Sequence, residues 1–247
     1  MTWDHVPPQG GIELSSVEQE LVFDRLTADA KDRAFTISQN GVKFRTICGN
    51  CNNFWLGKKY DPALNEFTLN TGKLLHTTIH LPPVINVRAK PTAIIRAILG
   101  HLLAAKTNID DTVTDREVRS FFFDEDAPIP DSIHVFYWIY PYTSVVIIRD
   151  IAMLAMRGKF GDAGLFSILK YFPVAFLVTN LQSYEGLTEL TSFRHLKSSE
   201  FANISIPLQK VKHPTWPETV DDYNIVAGGI SLESSVYATP RIKKNRD

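Results

Sequence analysis

Cysteine is nearly absent from this chain. Its 247 residues include only two cysteines, Cys48 and Cys51, and these are separated by two residues. A secreted protein held together by disulfides needs several cysteine pairs, so that class is excluded. Two closely spaced thiols are typical of a metal-binding or redox pair in a reducing compartment, and we therefore expect a cytoplasmic protein.

Long apolar runs and a strong net charge are also missing. No uncharged apolar stretch reaches the length of about 18 residues that a membrane-spanning helix needs, so we expect no membrane partner. The start of the chain lacks the basic and apolar segments of a signal peptide. The net charge of −1 does not suggest a strongly basic nucleic-acid-binding protein. Residues 41–60, however, include Lys43, Arg45, Lys58 and Lys59 and no acidic residue.

The spacing of apolar residues predicts a mixture of helices and strands. Apolar residues recur at helical spacing over residues 17–26, and residues 52–72 are expected to be helical with a break at Gly57 or at Asp61-Pro62. The turn-forming pair Asn40-Gly41 is flanked by residues that favour strands, which predicts a β-hairpin over residues 34–48.

The later part of the chain is expected to be richer in strands. Pro91 is predicted to begin an amphipathic helix, and Thr114 is predicted to cap a shorter one. Residues 132–140 and 144–154 are expected to form two strands that pair across the turn at residues 141–144. The whole pattern predicts an α+β protein with a mostly antiparallel sheet. We place a boundary near residue 72, between a module over residues 1–72 and an α+β domain of unknown function over residues 73–247.

Two short fragments have residue types that suggest chemistry. In "WDHVPP", Asp4 and His5 precede two prolines, and in "CGNCNN" the Cys-x-x-Cys pair directly precedes Asn52. Together these fragments resemble the HNH endonucleases, or ββα-metal nucleases. In that family a histidine preceded by an acidic residue lies on the first strand of a β-hairpin, and a further His or Asn lies on the helix that follows. The resemblance covers residues 3–65, about a quarter of the chain.

The resemblance implies a role for each matching residue. His5 would be the general base, and Asn40 would match the asparagine that orients the base. Asp4 and Asn52 would bind a catalytic Mg²⁺ or a similar divalent ion, which prefers oxygen ligands. Two of these residues also have a purely structural explanation. Asn40 fits the turn formed with Gly41, and Asn52 suits the start of a helix.

The implied function is metal-dependent hydrolysis of phosphodiester bonds in nucleic acid, with DNA preferred over RNA. A base that activates water and a cation that stabilises charge on phosphate are what this reaction needs. Lys58 and Lys59 would contact the phosphates. Residues 73–247 would select the substrate, bind a partner or form a homo-oligomer.

Cys48 and Cys51 would hold a structural zinc ion in such a module. Structural zinc normally has four ligands, and this chain supplies only one cysteine pair. Three interpretations stay open: a second Cys-x-x-Cys precedes Met1 in the natural protein, His76 and His80 complete the site, or no zinc binds and the cysteines are small apolar residues.

Two other functions stay open as well. The module is either a nuclease or a catalytically inactive HNH-like remnant that binds nucleic acid or protein. In a third interpretation, residues 73–247 carry the main activity. His101, on the predicted helix after Pro91, is expected to be a hydrogen-bonded helix residue rather than a metal ligand.

Overall fold

The computed structural model of the chain describes residues 1–12, 15–77, 80–107, 110–155, 163–184, 186–209, 211–219, 224–227 and 234–241. The helices in these ranges are α1 (Val22–Thr27), α2 (Asp61–Leu75), α3 (Pro91–Ala104) and α4 (Val113–Phe123). Residues Cys51–Tyr60 precede α2 without interruption and have wider π-type turns, such as the one in which the amide of Asp61 donates to the carbonyl of Leu56.

The strands are numbered in chain order. They are β1 (Thr2–His5), β2 (Val17–Leu21), β3 (Thr36–Ser38), β4 (Lys43–Ile47), β5 (Val84–Ala89), β6 (His134–Ile139), β7 (Val145–Ala155), β8 (Ala163–Tyr171), β9 (Val174–Thr179), β10 (Thr188–Glu189), β11 (Ala202–Pro207), β12 (Asn224–Ala227) and β13 (Val236–Pro240).

A large antiparallel sheet organises the described residues. Its strand order is β10-β6-β9-β8-β7-β13-β2-β3, and β12 pairs with the end of β7 beyond a bulge. Two smaller sheets pair β1 with β4 and β5 with β11. Every strand pair is antiparallel. The prediction of an α+β protein with a mostly antiparallel sheet is confirmed.

The central strands β6 and β9 are buried on both faces of the large sheet, and their successive side chains point to opposite faces. On β6, Val135 and Tyr137 lie in the main core, which also contains helices α2, α3 and α4. Phe136 and Trp138 lie in a second cluster on the other face, beneath Val22 of α1. Helix α3 lies deepest, with every residue from Pro91 to Ala104 buried, as expected for a helix apolar on most sides.

The hairpin predicted around Asn40-Gly41 is wrong, although the turn itself forms. Asn40 and Gly41 have φ angles of 61° and 80°, which is the left-handed pair that an Asn-Gly turn needs. The flanking strands then separate, since β3 pairs with β2 and β4 pairs with β1. Each strand thus finds its partner in an earlier strand rather than across the turn, because each earlier strand offers a free edge.

Two further predictions made from the local sequence are wrong because strands from distant parts of the chain take part in the pairing, and a third concerns a helix break. Residues 17–21 form a strand instead of a helix, because β2 pairs with β13 on one edge and with β3 on the other. Strands β6 and β7 do form, but the β8–β9 pair lies between them. The predicted break at Gly57 or at Asp61-Pro62 is absent, since one helix is continuous from Cys51 to Leu75.

The boundary predicted near residue 72 falls inside helix α2. Strands β2 and β3 come from before this point and lie in the same sheet as β6–β10, β12 and β13. The main core likewise contains side chains from both segments, from Val6 to Ala238.

Among the described helices, none has both the length and the apolar composition that crossing a membrane requires.

Candidate functional site

Strands β1 and β4 and the helix that follows carry most of the residues singled out by the HNH resemblance, while Asn40 lies in the turn before β4 and Cys48 directly after β4. The two strands form a short antiparallel ribbon, in which Asp4 lies opposite Phe44 and His5 lies opposite Lys43. Because side chains alternate along a strand, Asp4 and His5 point to opposite faces of this ribbon. Asp4 is 3% exposed and lies in the interior, whereas His5 is half-buried at the outer surface.

The buried carboxylate of Asp4 is engaged by a residue of helix α3. Nδ1 of His101 lies 2.9 Å from Oδ2 of Asp4, and Nε2 of the same ring lies 2.9 Å from Oδ1 of Asp61. A carboxylate only accepts hydrogen bonds, so both ring nitrogens must carry protons to donate. His101 is therefore an imidazolium ion held between two carboxylates, and it joins β1, α2 and α3.

The charge state of His101 follows from two opposing effects. Burial by itself lowers the pKa of this fully buried ring, and the nearby carboxylates of Asp4 and Asp61 raise it by more. The net result is a pKa of about 10. Sequence reasoning expected a hydrogen-bonded His101 but did not identify its partners, because nothing in the local sequence links position 101 to positions 4 and 61.

The surroundings of Asp4 do not fit the implied magnesium ion. Mg²⁺ keeps several of its water ligands, so a carboxylate that binds it needs open space beside its oxygens. The carboxylate of Asp4 is almost fully enclosed, and one of its oxygens already accepts from His101. Of the two predicted ligands, Asp4 is thus part of an interior ion pair, whereas Asn52 forms a hydrogen bond between the helix and strand β1.

Asn52 lies in the first turns of the helix and is hydrogen-bonded to strand β1. Its amide nitrogen donates to the carbonyl oxygen of Trp3 at 2.6 Å and lies 3.3 Å from the hydroxyl oxygen of Thr2. This contact fixes the start of the helix against the strand that carries Asp4 and His5. The side chain does not act as a helix cap, the structural role that the sequence suggested.

His5 has the environment of a neutral imidazole. The amide nitrogen of Gln9 lies 2.9 Å from Nδ1 of the ring, and the ring also bonds to the backbone carbonyl of Asn40. Partial burial, followed by the charge of Lys43, lowers the pKa of His5 below its ordinary value of 6.5. Asn40 thus contacts the candidate base through its main chain, while its own backbone conformation serves the turn.

Cys48 and Cys51 lie side by side where the helix begins. Their sulfur atoms are 2.7 Å apart, and the backbone N–H of Cys51 donates to Sγ of Cys48 at 3.1 Å. The hydrogen bond from the Cys51 thiol lowers the pKa of Cys48, whereas burial raises the pKa of Cys51. The ring of His76 is tilted against that of Phe172, with the two ring centres 5.3 Å apart. No group of three or more His, Cys, Asp or Glu residues is placed to hold a metal in the described part of the chain.

The basic residues of this region have different surroundings. Lys58 is exposed. Lys59 pairs with Glu125 at 2.9 Å and lies over the ring of Trp55 at 4.1 Å.

Comparison with protein-family models, curated proteins and solved structures finds no match to this chain.

A basic and aromatic surface covers the outer face of the ribbon. We define this outer face as Trp3, His5, Lys43 and Arg45, which alternate with inward-facing Asp4 and Phe44. Trp3 is 55% exposed. Lys43 and Arg45 approach its ring, with their charged groups 5.8 and 5.9 Å from the ring centre. Sequence reasoning noted the two basic residues but did not identify Trp3, whose exposure follows only from the pairing of β1 with β4.

Proposed function

We propose that β1, β4 and the helix over residues 51–75 form an HNH-like ββα module that binds single-stranded nucleic acid through its outer face, without metal-dependent hydrolysis at Asp4. The observation that carries this proposal is the exposed ring of Trp3 between Lys43 and Arg45. An exposed aromatic ring can stack on any base, and neighbouring cations neutralise the phosphates that flank it.

The order of elements supports the module part of the proposal. A strand with Asp4-His5 pairs with a second strand, which leads through Cys-x-x-Cys into a helix with Asn52 in its first turns. The amide of Asn52 bonds the helix to the first strand. This is the strand–strand–helix order that the resemblance implies, with residues 6–42 as a long excursion between the two strands.

The engagement of Asp4 argues for binding rather than hydrolysis. To bind a divalent ion, this carboxylate would have to leave His101, and a buried imidazolium would then lose one of its two counterions. Removing one partner of a buried ion pair costs about 3–5 kcal/mol, so the ion pair opposes metal binding at Asp4.

A direct test is a binding titration of the full-length chain with labelled DNA and RNA, single- and double-stranded. Trp3→Ala should weaken binding to single strands by about 1–3 kcal/mol, the usual loss for one stacked base. In the double variant Lys43→Gln/Arg45→Gln, the logarithm of the binding constant should fall less steeply with the logarithm of the salt concentration. The decrease in slope should correspond to the loss of about two phosphate contacts.

The chain offers a matched control for Trp3. Phe201 is also exposed, and Arg88 and Lys90 lie 4.6 and 4.9 Å from its ring on the β5–β11 sheet. Because Phe201 lies outside the proposed ββα module, Phe201→Ala should leave binding unchanged. Equal losses for Trp3→Ala and Phe201→Ala, or no binding by the folded wild type, would contradict the proposal.

Metal-dependent hydrolysis with His5 as base is the second candidate. The observation in its favour is that His5 is partly accessible and held neutral by its lowered pKa, the form that accepts a proton from water. A nicking assay on plasmid, single-stranded DNA and RNA with Mg²⁺, Mn²⁺ or EDTA separates the two candidates. Metal-dependent cleavage that His5→Ala abolishes would establish the nuclease, whereas binding without cleavage supports the first proposal.

A further inference from the structure

We propose that Cys48 and Cys51 form a reversible dithiol–disulfide pair that exchanges with disulfides of peptide substrates. This activity is independent of nucleic-acid binding, since it uses neither Trp3 nor His5. The inference rests on the position of two sulfurs, on the difference in their exposure, and on the cleft beside them.

The two thiols are placed to react with each other. Their sulfurs lie 2.7 Å apart at the start of the helix, so closing a bond between them requires only a small movement. The backbone N–H of Cys51 points at Sγ of Cys48 from 3.1 Å. This contact holds the sulfur of Cys48 beside that of Cys51.

The exposure of the two residues assigns them different roles. Cys48 is exposed, whereas Cys51 is half-buried behind it. An incoming substrate therefore meets Cys48 first, and Cys51 is positioned to attack the mixed disulfide from the protein side. In such exchange reactions, access to the attacking sulfur is one of the factors that set the rate.

A cleft next to the sulfurs indicates the class of substrate. It has a volume of about 250 Å³, and both cysteines contribute to its wall. The remaining wall is mainly apolar, with Ile47, Leu56, Leu103, Phe122 and Phe123, and its two cations, Lys106 and Arg119, are both paired with Asp111. This space suits an apolar side chain of a peptide, so the preferred substrate is a peptide disulfide with an apolar residue beside its cysteine.

The reaction balances without any further reactant. The thiolate of Cys48 attacks one sulfur of the substrate disulfide, so a Cys48–substrate bond forms, the substrate S–S bond breaks and the first substrate thiolate leaves. The sulfur of Cys51 then attacks Sγ of Cys48, forming the Cys48–Cys51 disulfide and releasing the second thiolate. The protons of both cysteines end on the two released thiols. The protein loses two electrons and two protons, and the substrate disulfide gains them.

The first experiment measures the oxidation state of the full-length chain. The protein is equilibrated with mixtures of reduced and oxidised glutathione, quenched in acid, labelled with a maleimide and weighed intact. We expect the number of labels to fall from two to zero as the mixture becomes more oxidising, with little singly labelled protein. Two labels at every ratio, or oxidation only into dimers, would overturn the proposal.

Single-cysteine variants test the assigned roles. With oxidised glutathione, Cys51→Ser should accumulate a stable adduct at Cys48, and Cys48→Ser should form its adduct several-fold more slowly. Equal rates in the two variants would contradict the roles. Because the wild-type measurement needs no substitution, the proposal stays testable even if a variant fails to fold.

Two further measurements address the substrate and the competing zinc site. A peptide disulfide with Phe beside its cysteine should react several-fold faster than the same peptide with Asp there, and Phe123→Ala should reduce this preference.

The purified chain is also analysed for zinc. One tightly bound zinc per chain that protects both thiols from maleimide would overturn the proposal in favour of a structural metal site.

Discussion

The ring of His101 lies 2.9 Å from the carboxylate of Asp4, a residue 97 positions earlier in the chain. The same ring reaches Asp61 at 2.9 Å through its other nitrogen. The acidic residue next to the candidate base His5 is therefore part of an ion-pair cluster that joins three elements of the main core. This gives Asp4 a structural role, whatever chemistry occurs on the outer face.

The His101 cluster predicts a specific dependence of stability on pH. The pKa of His101 is about 10 in the folded protein, against an ordinary value of 6.5. A raised pKa means that the folded state holds the proton more tightly. The stabilisation is therefore complete below pH 6.5 and is lost as the pH rises from 6.5 to about 10. Urea unfolding across this range should show it.

Two variants isolate this effect from other titrations. His101→Gln keeps every other ionisable group, so the difference in unfolding free energy between it and wild type should shrink as the pH rises. At neutral pH, His101→Gln should cost about 3–5 kcal/mol, because it leaves two buried carboxylates without a cation. Asp4→Asn should lower the pKa of His101, which NMR of the ring can follow. A constant difference across the pH range would contradict the prediction.

The contact between Asn52 and Trp3 predicts a selective loss of stability. In Asn52→Asp, a carboxylate replaces the amide that donates to the carbonyl of Trp3, so two acceptors face each other. We expect a loss of about 1–3 kcal/mol. Asn53→Asp is the matched control, since this exposed neighbour gains the same charge in the same helical turn. Thermal unfolding of both variants measures the difference, and equal stabilities would show that the contact contributes little.

The close packing of Gly100 predicts that an added methyl group is harmful. A Cβ atom there would lie 2.4 Å from a ring carbon of Phe122 and 2.7 Å from a methyl carbon of Leu56. Alanine normally favours a helix over glycine by about 1 kcal/mol. Here overpacking should reverse the sign, and Gly100→Ala should lose about 1–3 kcal/mol in denaturant unfolding.

A second glycine provides the control for this test. At Gly49 an added Cβ would meet Thr2 at 3.6 Å and Asn53 at 4.0 Å, and both are ordinary contact distances. Gly49→Ala should therefore be neutral or stabilising. If Gly100→Ala is also neutral, helix α3 can move away from Phe122 and Leu56 at little cost.

The buried Lys170 predicts a large effect from a single change. Its ammonium group donates to the carbonyls of Pro214 and Trp216 at 2.7 and 3.2 Å and pairs with Glu218. Burial lowers the pKa of Lys170, and Glu218 partly offsets this. Lys170→Met would leave a buried carboxylate unpaired, so we expect a loss of about 3–5 kcal/mol.

An exposed ion pair serves as the comparison for Lys170. Arg241 and Glu18 are 3.6 Å apart, and each side chain is about half exposed. Arg241→Met should change the free energy of unfolding by no more than about 1 kcal/mol. The double variant Lys170→Met/Glu218→Leu should recover part of the loss of the single variant. A small effect of Lys170→Met would contradict the prediction.

The sequence predicted those elements whose signals are local. Helix α3 forms where Pro91 and an apolar run predict it, and strands β6 and β7 form in their predicted segments. Pairing was predicted less well. The turn at Asn40-Gly41 forms, but strands from distant parts of the chain take both flanking segments as partners. The residue types of a turn determine its backbone conformation. Which strand pairs with which depends instead on the strand edges that remain unpaired in the complete fold.

The candidate site shows the same limit. The motif spacing indicated that Asp4, His5, Cys48 and Asn52 belong together, and the β1–β4 ribbon and its helix bring them into one region. The direction of each side chain was not predictable, because Asp4 points inward only through a partner on α3. An acidic residue beside a histidine looks the same in the sequence whether it faces solvent or the core.

Strand β13 lies between β7 and β2, so one of the last strands to be synthesised fills a gap beside one of the first. Until Val236–Pro240 leaves the ribosome, β2 and the Val145–Ile147 end of β7 lack this partner. An unpaired strand edge is a template for pairing with other chains. The growing polypeptide therefore keeps an aggregation-prone edge until translation reaches β13, and a stop codon upstream of Val236 would make that exposed state permanent.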